Sequence, residues 1–315
     1  MILRILLLAA LLLAFTACTT ADPALVEAPV QPTAQPTERP TLPRLPTSTP
    51  RLIATPTATP APSATPVPPS LTLRVPTAVL LSDDAPASSV IGYSLGARPL
   101  VAQRFGSASA LTSRVLLLVG GIHGGWEGNT VTLMEALIDH FTKLPEDVPP
   151  GVALMIIPVA NPDGYALGRV EQGRFNNAGV DLNRNWSCEW SAEAYWRRER
   201  VNPGARPFSE PETRALADFI GQTRPAGVLF FHSAANGVFA GDCGGDHGSE
   251  ALAATFGEAA GYLHDAPFTA YPVTGVASNW ADGEGIPAAD VELRSSSDSE
   301  YEQNLRGVLA ILAEL

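Results

Sequence analysis

Short apolar runs alternate with longer amphipathic stretches from residue 71 onward. Six runs have the length and apolar content of buried strands, and they cover residues 90–93, 99–104, 115–119, 153–159, 228–231 and 289–293. Helix-like spacing of apolar positions occurs at residues 130–143, 210–222, 250–262 and 300–312. This alternation predicts an α/β fold, because helices that connect parallel strands cover both faces of the sheet. We therefore expect a single three-layer α/β/α domain over residues 71–315, with a mixed, largely parallel sheet.

The first residues have the pattern of an export signal. Arg4 precedes an unbroken apolar run at residues 5–15, which is too short for a membrane span and has the length of a signal-peptide core. The small residues before Cys18 resemble a bacterial lipoprotein processing site, at which the cysteine becomes lipidated; simple secretion after cleavage nearby is the alternative. We expect a signal peptide at residues 1–17. The mature chain is then extracytoplasmic, either secreted or anchored as a lipoprotein to the outer face of a bacterial cell membrane.

The next segment differs in composition from the rest of the chain. Residues 21–70 hold 14 of the 29 prolines and nine threonines, and they contain no aromatic residue. Such a segment cannot bury enough apolar surface to offset the entropy of ordering it. We expect residues 18–70 to be a disordered Pro/Thr-rich tether in front of the α/β domain.

The net charge narrows the range of partners. A formal charge of −12 argues against nucleic acid. It does not identify a substrate. We expect no nucleic-acid partner, and contact with a membrane only through the lipid anchor at Cys18.

Three possible zinc ligands lie close to the ends of predicted strands. His123 and Glu127 follow the apolar run 115–119, and His232 directly follows the run 227–231. In α/β sheets, binding sites gather at the carboxyl ends of the strands. Two imidazoles and one carboxylate, with a fourth position left for water, are typical of a hydrolytic zinc site.

These residues belong to a series of motifs that resembles the carboxypeptidase A-like family of zinc metallocarboxypeptidases. In chain order the motifs are residues 120–127, Asn161-Pro162-Asp163-Gly164-Tyr165, 179–186, 208–212, Phe231-His232-Ser233, 271–275 and Val291-Glu292-Leu293. Each motif alone is weak, but their order across residues 90–295 is specific. The resemblance implies one Zn²⁺ per chain, bound by His123, Glu127 and His232. It also implies hydrolysis of the last peptide bond of a peptide with a free C-terminus.

The resemblance assigns roles to five further residues. Glu292 is similar to the family's general base, which takes a proton from the attacking water and returns it to the departing amine. Arg174 resembles the arginine that stabilises the developing oxyanion. Asn183 and Arg184 resemble the pair that binds the terminal carboxylate of the substrate. Tyr271 resembles the mobile tyrosine that closes over bound substrate.

Two departures from the family's pattern affect these expectations. Three residues separate His123 from Glu127, where the family usually has two, and Trp126 at the usual ligand position cannot bind zinc. The two glycines between the ligands tolerate unusual backbone angles and can absorb the extra residue. An arginine often found between those ligands is also missing, so recognition of the carboxylate rests mainly on Arg184 and Asn183. This favours relaxed selectivity for chain ends, or an unusual substrate such as a cell-wall peptide.

Two cysteines remain once Cys18 is assigned to the lipid anchor, namely Cys188 and Cys243. In an oxidising compartment they predict a disulfide. Each follows a motif of the predicted site, so the bridge would brace two loops beside that site.

Three functions remain open at this point. The leading one is an extracytoplasmic zinc metallocarboxypeptidase. The second is a zinc amidohydrolase of the same fold, acting on peptidoglycan stem peptides or N-acyl amino acids. The third is a non-catalytic binding lipoprotein, which the retention of Glu292 and Arg174 argues against. Ser278 and Asn279 are expected near the floor of the substrate pocket, and because neither is charged they disfavour a charged terminal residue.

Overall fold

The computed structural model describes residues 85–315. The predicted signal peptide, the predicted tether and residues 71–84 lie outside the described residues. The division at residue 70 therefore stays a prediction.

Within residues 85–315, seven strands form the main sheet, in the order β1-β2-β4-β3-β7-β9-β8. They are β1 (Ala87–Tyr93), β2 (Pro99–Gly106), β3 (Val115–Val119), β4 (Ala153–Ile157), β7 (Gly227–Ser233), β8 (Gly237–Ala240) and β9 (Ala288–Leu293). A separate hairpin consists of β5 (Ala194–Trp196) and β6 (Glu199–Val201). The four central strands β4, β3, β7 and β9 are parallel, whereas β1, β2 and β8 add antiparallel pairs at the two edges. The predicted mixed sheet with a parallel centre is confirmed.

The α-helices are α1 (Gly128–Lys143), α2 (Pro162–Leu167), α3 (Pro211–Thr223), α4 (Ser249–Ala260), α5 (Ala277–Gly283) and α6 (Tyr301–Glu314). Apolar residues of α1, α4 and α6 pack against one face of the sheet, and those of α3 and α5 pack against the other. Strand β3 contributes to both cores, because alternate side chains of a strand point to opposite faces. Leu116 and Leu118 join the first core, and Leu117 and Val119 join the second. The domain is therefore the expected α/β/α sandwich.

Within residues 85–315, no helix has the length and apolarity needed to cross a membrane.

Candidate active site

The carboxyl ends of β3, β7 and β9 meet at one edge of the sheet. His232 lies on β7 and pairs directly with Glu292 on β9 in the parallel register. His123 and Glu127 come from the connection between β3 and α1. The residues predicted from separate motifs are thus brought together by three neighbouring strands.

The extra residue between His123 and Glu127 is accommodated by a 3₁₀ turn over Gly124–Glu127. Gly124 has a φ of +48°, and a Cβ atom there would lie 2.5 Å from the carbonyl oxygen of Gly173. Only glycine has the conformational freedom and the small size for this position. The turn places Glu127 Oε1 at 2.9 Å from Nδ1 of His123. The unusual spacing therefore still places the carboxylate of Glu127 beside the ring of His123.

His123, Glu127 and His232 form a buried cluster whose possible ligand atoms all lie within 4.8 Å of one another. Nδ1 of His232 is 3.3 Å from Nδ1 of His123 and 3.4 Å from Oε2 of Glu127. Two histidine nitrogens and a carboxylate that face one point are the donor set that Zn²⁺ prefers in catalytic sites. The cluster fits a zinc site.

The electrostatics of the cluster also suit a cation. Burial alone would raise the pKa of Glu127, but the two histidines outweigh it and hold that pKa well below its ordinary value. Burial lowers the pKa of His232, whereas Asp290 and Glu127 raise it more strongly, to about 10. Positive charge is therefore stabilised at this point of the fold, which favours the binding of a cation.

Each of the two histidines has an aspartate carboxylate close to its Nε2 atom. Oδ1 of Asp181 is 3.4 Å from Nε2 of His123, and Oδ1 of Asp290 is 3.4 Å from Nε2 of His232. Carboxylates in this position orient metal-binding imidazoles, so that Nδ1 faces the ion. Asp181 lies in the predicted motif of residues 179–186, but the sequence assigned it no role. Asp290 was missed, although its position two residues before Glu292 places both side chains on the same face of β9.

Arg174 lies behind the cluster and is 1% exposed. Its Nε and Nη2 donate to Oδ2 of Asp181 at 3.0 and 2.8 Å, and Nη1 lies 3.5 Å from Oε1 of Glu127. The guanidinium also lies 4.7 Å from the ring centre of Trp196. Two of its three nitrogens are thus used to hold Asp181, and Nη1 points toward the metal cluster.

Glu292 is partly buried beside His232. Its Oε2 atom is buried and has no hydrogen-bond partner among residues 85–315. Burial raises the pKa of Glu292, His232 lowers it, and the nearby carboxylates of Glu127 and Asp290 raise it again, to about 7. A carboxylate with this pKa and a free oxygen can accept a proton near neutral pH.

A cavity of about 230 Å³ opens directly onto His123, His232 and Glu292. The other predicted site residues that line it are Asn183, Arg184, Tyr271, Ser278 and Asn279. The structure therefore brings the predicted substrate-binding residues to the same cavity as the metal cluster. Arg174 is not among its lining residues.

Arg184 is buried, and the structure gives it no acidic partner in the part of the chain it describes. Its Nε donates to the carbonyl of Tyr195 at 3.1 Å and Nη1 to the carbonyl of Asn183 at 2.6 Å. Asn183 in turn accepts from the backbone nitrogen of Ala277 at 2.9 Å. These bonds fix both side chains at the cavity wall without neutralising the guanidinium.

The predicted disulfide between Cys188 and Cys243 is present. The backbone around Cys188 is also tied to Gly275, whose nitrogen donates to the carbonyl of Cys188 at 3.1 Å. Cys243 donates its backbone nitrogen to Asp282 of α5 at 3.2 Å. The bridge thus joins loops that contribute residues to the cavity.

The fold and the site together define a class of α/β/α domains that hold two histidines and one glutamate at the carboxyl edge of the sheet. Residues 83–299 match the sequence model of the zinc carboxypeptidases. The chain belongs to the zinc carboxypeptidase family.

Relatives and solved structures agree with this assignment. Murein peptide amidase A of Escherichia coli K12 is 34% identical over 157 residues, which are 47% of this chain and 59% of that protein. Carboxypeptidase A6 of Mus musculus is 30% identical over 168 residues, which are 45% of this chain and 37% of that protein. The chain therefore spans little more than half of the first relative and about a third of the second.

The crystal structure of a murein-tripeptide amidase from Escherichia coli O157 has a TM-score of 0.55 and 26% identity, over 73% of this chain and 93% of that one. The crystal structure of thrombin activatable fibrinolysis inhibitor has a TM-score of 0.64 and 21% identity, over 73% and 69% of the two chains. At that identity the second likeness concerns the fold alone.

Proposed function

We propose that this protein is a zinc-dependent peptidase that hydrolyses the C-terminal peptide bond of its substrate. The observation that carries the proposal is the direct pairing of His232 with Glu292 beside the three-donor cluster. This pairing places a candidate base with a free oxygen against the metal site, at the wall of a cavity that also contains Arg184.

His123, Glu127 and His232 would hold the zinc ion. When bound, zinc supplies Lewis-acid chemistry, which polarises a carbonyl and makes water nucleophilic near neutral pH. Glu292 accepts the proton of the attacking water and passes it to the departing amine. Arg174 holds Asp181 through two nitrogens, and its Nη1 lies 3.5 Å from Oε1 of Glu127. Because Arg174 does not line the cavity, we assign it to stabilising the developing negative charge through the metal cluster.

Arg184 and Asn183 recognise the terminal carboxylate of the substrate. Arg184 is suited to this role because its charge is not paired with any acid in the described part of the chain. A guanidinium that meets a carboxylate in a partly dry cavity forms strong, directional hydrogen bonds. Tyr271 lines the same cavity and packs edge-on against Phe268, with ring centres 5.1 Å apart. We assign it to closing the cavity over the substrate.

A second candidate function is hydrolysis of a cell-wall peptide. The match to murein peptide amidase A of Escherichia coli K12, at 34% identity, favours this substrate class. The same side chains serve both functions, since a stem peptide also ends in a carboxylate. Export through a signal peptide at residues 1–17 and lipidation of Cys18 would place either activity outside the cytoplasm, and we retain both as proposals.

The test compares the zinc-loaded chain on three matched substrates: a blocked dipeptide with a free C-terminus, its C-terminal amide, and a cell-wall tripeptide. We expect the free acid to be cleaved at least tenfold faster than the amide, because Arg184 binds only the carboxylate. Equal rates on acid and amide would refute selection for chain ends. A tripeptide rate far above that of the dipeptide would favour the second candidate. Glu292→Gln is the control for contaminating peptidase.

A further inference from the structure

We propose that Trp196 is a positioning residue, whose indole ring holds the guanidinium of Arg174 toward the metal cluster. The inference rests on the proposed peptidase function, because it concerns the charge that Arg174 stabilises during hydrolysis. It assigns a role to the β5–β6 hairpin, which contributes neither a zinc ligand nor the base.

The hydrogen bonds of Arg174 do not by themselves fix the tilt of its guanidinium. Nε and Nη2 both donate to a single atom, Oδ2 of Asp181, at 3.0 and 2.8 Å. A guanidinium that binds one oxygen can tilt about that atom, whereas one that binds both oxygens of a carboxylate is held in a plane. The third nitrogen, Nη1, lies 3.5 Å from Oε1 of Glu127, which is longer than an ordinary hydrogen bond. A further contact is therefore needed to keep Nη1 directed at the cluster.

The ring of Trp196 supplies this contact. Cζ of Arg174 lies over the ring, 4.7 Å from its centre. The indole face attracts the cation, and two flat groups in contact restrict each other's tilt. Trp196 lines a surface hollow of about 500 Å³, whereas Arg174 does not line it and is 1% exposed. The ring therefore shields the guanidinium from this hollow, and the attraction is stronger where water is excluded.

The ring of Trp196 is itself held by a second tryptophan. Trp126 meets it edge-on, with ring centres 5.4 Å apart and an angle of 83° between the ring planes. Aromatic pairs favour this arrangement. Trp126 directly precedes Glu127 and occupies the position at which the family usually has its carboxylate ligand. The extra residue in the zinc-binding loop therefore contributes packing beside the metal cluster instead of a ligand.

The backbone of the hairpin is bonded to both sides of the site. The carbonyl of Tyr195 accepts from Nε of Arg184 at 3.1 Å. The carbonyl of Asn202, directly after β6, accepts from the backbone nitrogen of Asp181 at 2.9 Å. The segment that carries Trp196 is thus tied to the arginine proposed to bind the terminal carboxylate and to the aspartate beneath the metal cluster. These bonds fix the position from which the indole ring acts.

A tryptophan that only stabilises the fold and one that positions Arg174 predict different results. Trp196→Leu removes the flat ring and keeps apolar bulk, whereas Trp196→Phe keeps a smaller aromatic face. Arg174→Gln removes the group on which the ring acts, so Trp196→Leu should have no further effect on kcat in that background. Arg197→Gln is the matched control, because it removes an exposed guanidinium that lies 5.3 Å from the centre of the same ring.

The first measurement is kcat and KM of the zinc-loaded full chain on the blocked dipeptide with a free C-terminus. We expect Trp196→Leu to lower kcat about tenfold, the effect of losing one shielded cation–π contact. KM should change less than about threefold, since Arg174 does not line the cavity and acts on charge that develops during the reaction. Trp196→Phe should restore kcat to within about threefold of the natural chain, and Arg197→Gln should leave kcat unchanged.

The second measurement needs no turnover. It follows hydrogen exchange at Nε–H of Arg174 by NMR in the full chain, with Arg174→Gln identifying the signal by its loss. We expect exchange to be about tenfold faster or more in Trp196→Leu, because a group that is less firmly held opens to water more often. Trp196→Phe should show a smaller increase, and Arg197→Gln none.

Three results would overturn the proposal: an unchanged kcat in Trp196→Leu, an equal loss of kcat in the Arg174→Gln background, or unchanged exchange at Arg174. Absence of turnover in the natural chain would instead count against the peptidase function. In that case the exchange measurement alone decides the positioning role, which faster exchange supports and unchanged exchange refutes. If Trp196→Leu does not fold, Trp196→Phe takes its place in the exchange measurement with the same two outcomes.

Discussion

Replacement of Gly124 by alanine tests how the extra residue between His123 and Glu127 is accommodated. Gly124 has a φ of +48°, and an added Cβ would meet the carbonyl oxygen of Gly173 at 2.5 Å and backbone atoms of residues 164 and 165 at 2.7 Å. All of these are backbone atoms and cannot rotate away. The 3₁₀ turn must therefore shift, and Glu127 shifts with it.

The magnitude follows from two contributions. A left-handed backbone costs an alanine about 1–2 kcal/mol relative to glycine, and overpacking typically adds about 1–3 kcal/mol. A total of about 2–5 kcal/mol is divided between the stability of the fold and the binding of zinc. If half of it falls on the zinc site, the affinity for zinc drops about fivefold to sixtyfold, since 1.4 kcal/mol is about tenfold.

The assay is a zinc titration against a competing chelator, combined with denaturant unfolding in the absence and presence of excess zinc. Zinc that binds only the folded state raises the free energy of unfolding. Gly124→Ala should lower this increment as well as the stability of the metal-free protein. Gly128→Ala is the matched control, because a Cβ there lies 4.0 Å from Tyr165 and the backbone is already α-helical. Zinc affinity in Gly124→Ala equal to that of the control would refute the reasoning.

Three further predictions follow from the same geometry. Glu292→Gln should lower kcat/KM by about 10²–10⁴-fold while zinc stoichiometry stays unchanged; full activity would exclude Glu292 as the base. A base works only when deprotonated, so kcat/KM should fall as the pH falls through the pKa of Glu292, which burial raises from 4.5 to about 7. Because a nearby bound cation favours the carboxylate, we expect the midpoint of the acid limb between these two values in the pH profile, and a midpoint at or below 4.5 would contradict the assignment. Replacement of Cys188 and Cys243 together by serine opens a loop with a sequence separation of 55, which should cost about 4 kcal/mol of unfolding free energy; an unchanged denaturation midpoint would show that the bridge contributes nothing.

The central strands could be predicted because they consist mainly of apolar residues that are buried in the fold. Strand β3 is five apolar residues with every side chain buried, which is typical of a strand that is covered on both faces. Strand β8, helices α2 and α5 and the β5–β6 hairpin were missed. All of them are only three to seven residues long, and β8, α2 and α5 contain glycine. Elements of this kind depend on the surrounding fold more than on their own propensity.

The metal cluster could be predicted because its residues belong to recognisable motifs. The residues that surround each ligand could not be predicted, because they are brought there by pairing between distant segments of the chain. Asp290 reaches His232 only because β9 pairs with β7 in the observed register. Arg174 reaches Asp181 and Glu127 through two loops that have no regular pattern of their own. The roles of Glu292, Arg174, Asn183, Arg184 and Tyr271 stay predictions until activity is measured.

The most direct test of the account is the zinc content of the purified full chain, measured in parallel for the natural sequence and Glu127→Ala after saturation with zinc and removal of excess metal. We expect about one zinc per natural chain, as three protein ligands with one open position hold a single ion, and almost none in Glu127→Ala. A natural chain that retains no zinc would contradict the account, as would a Glu127→Ala variant that retains a full equivalent.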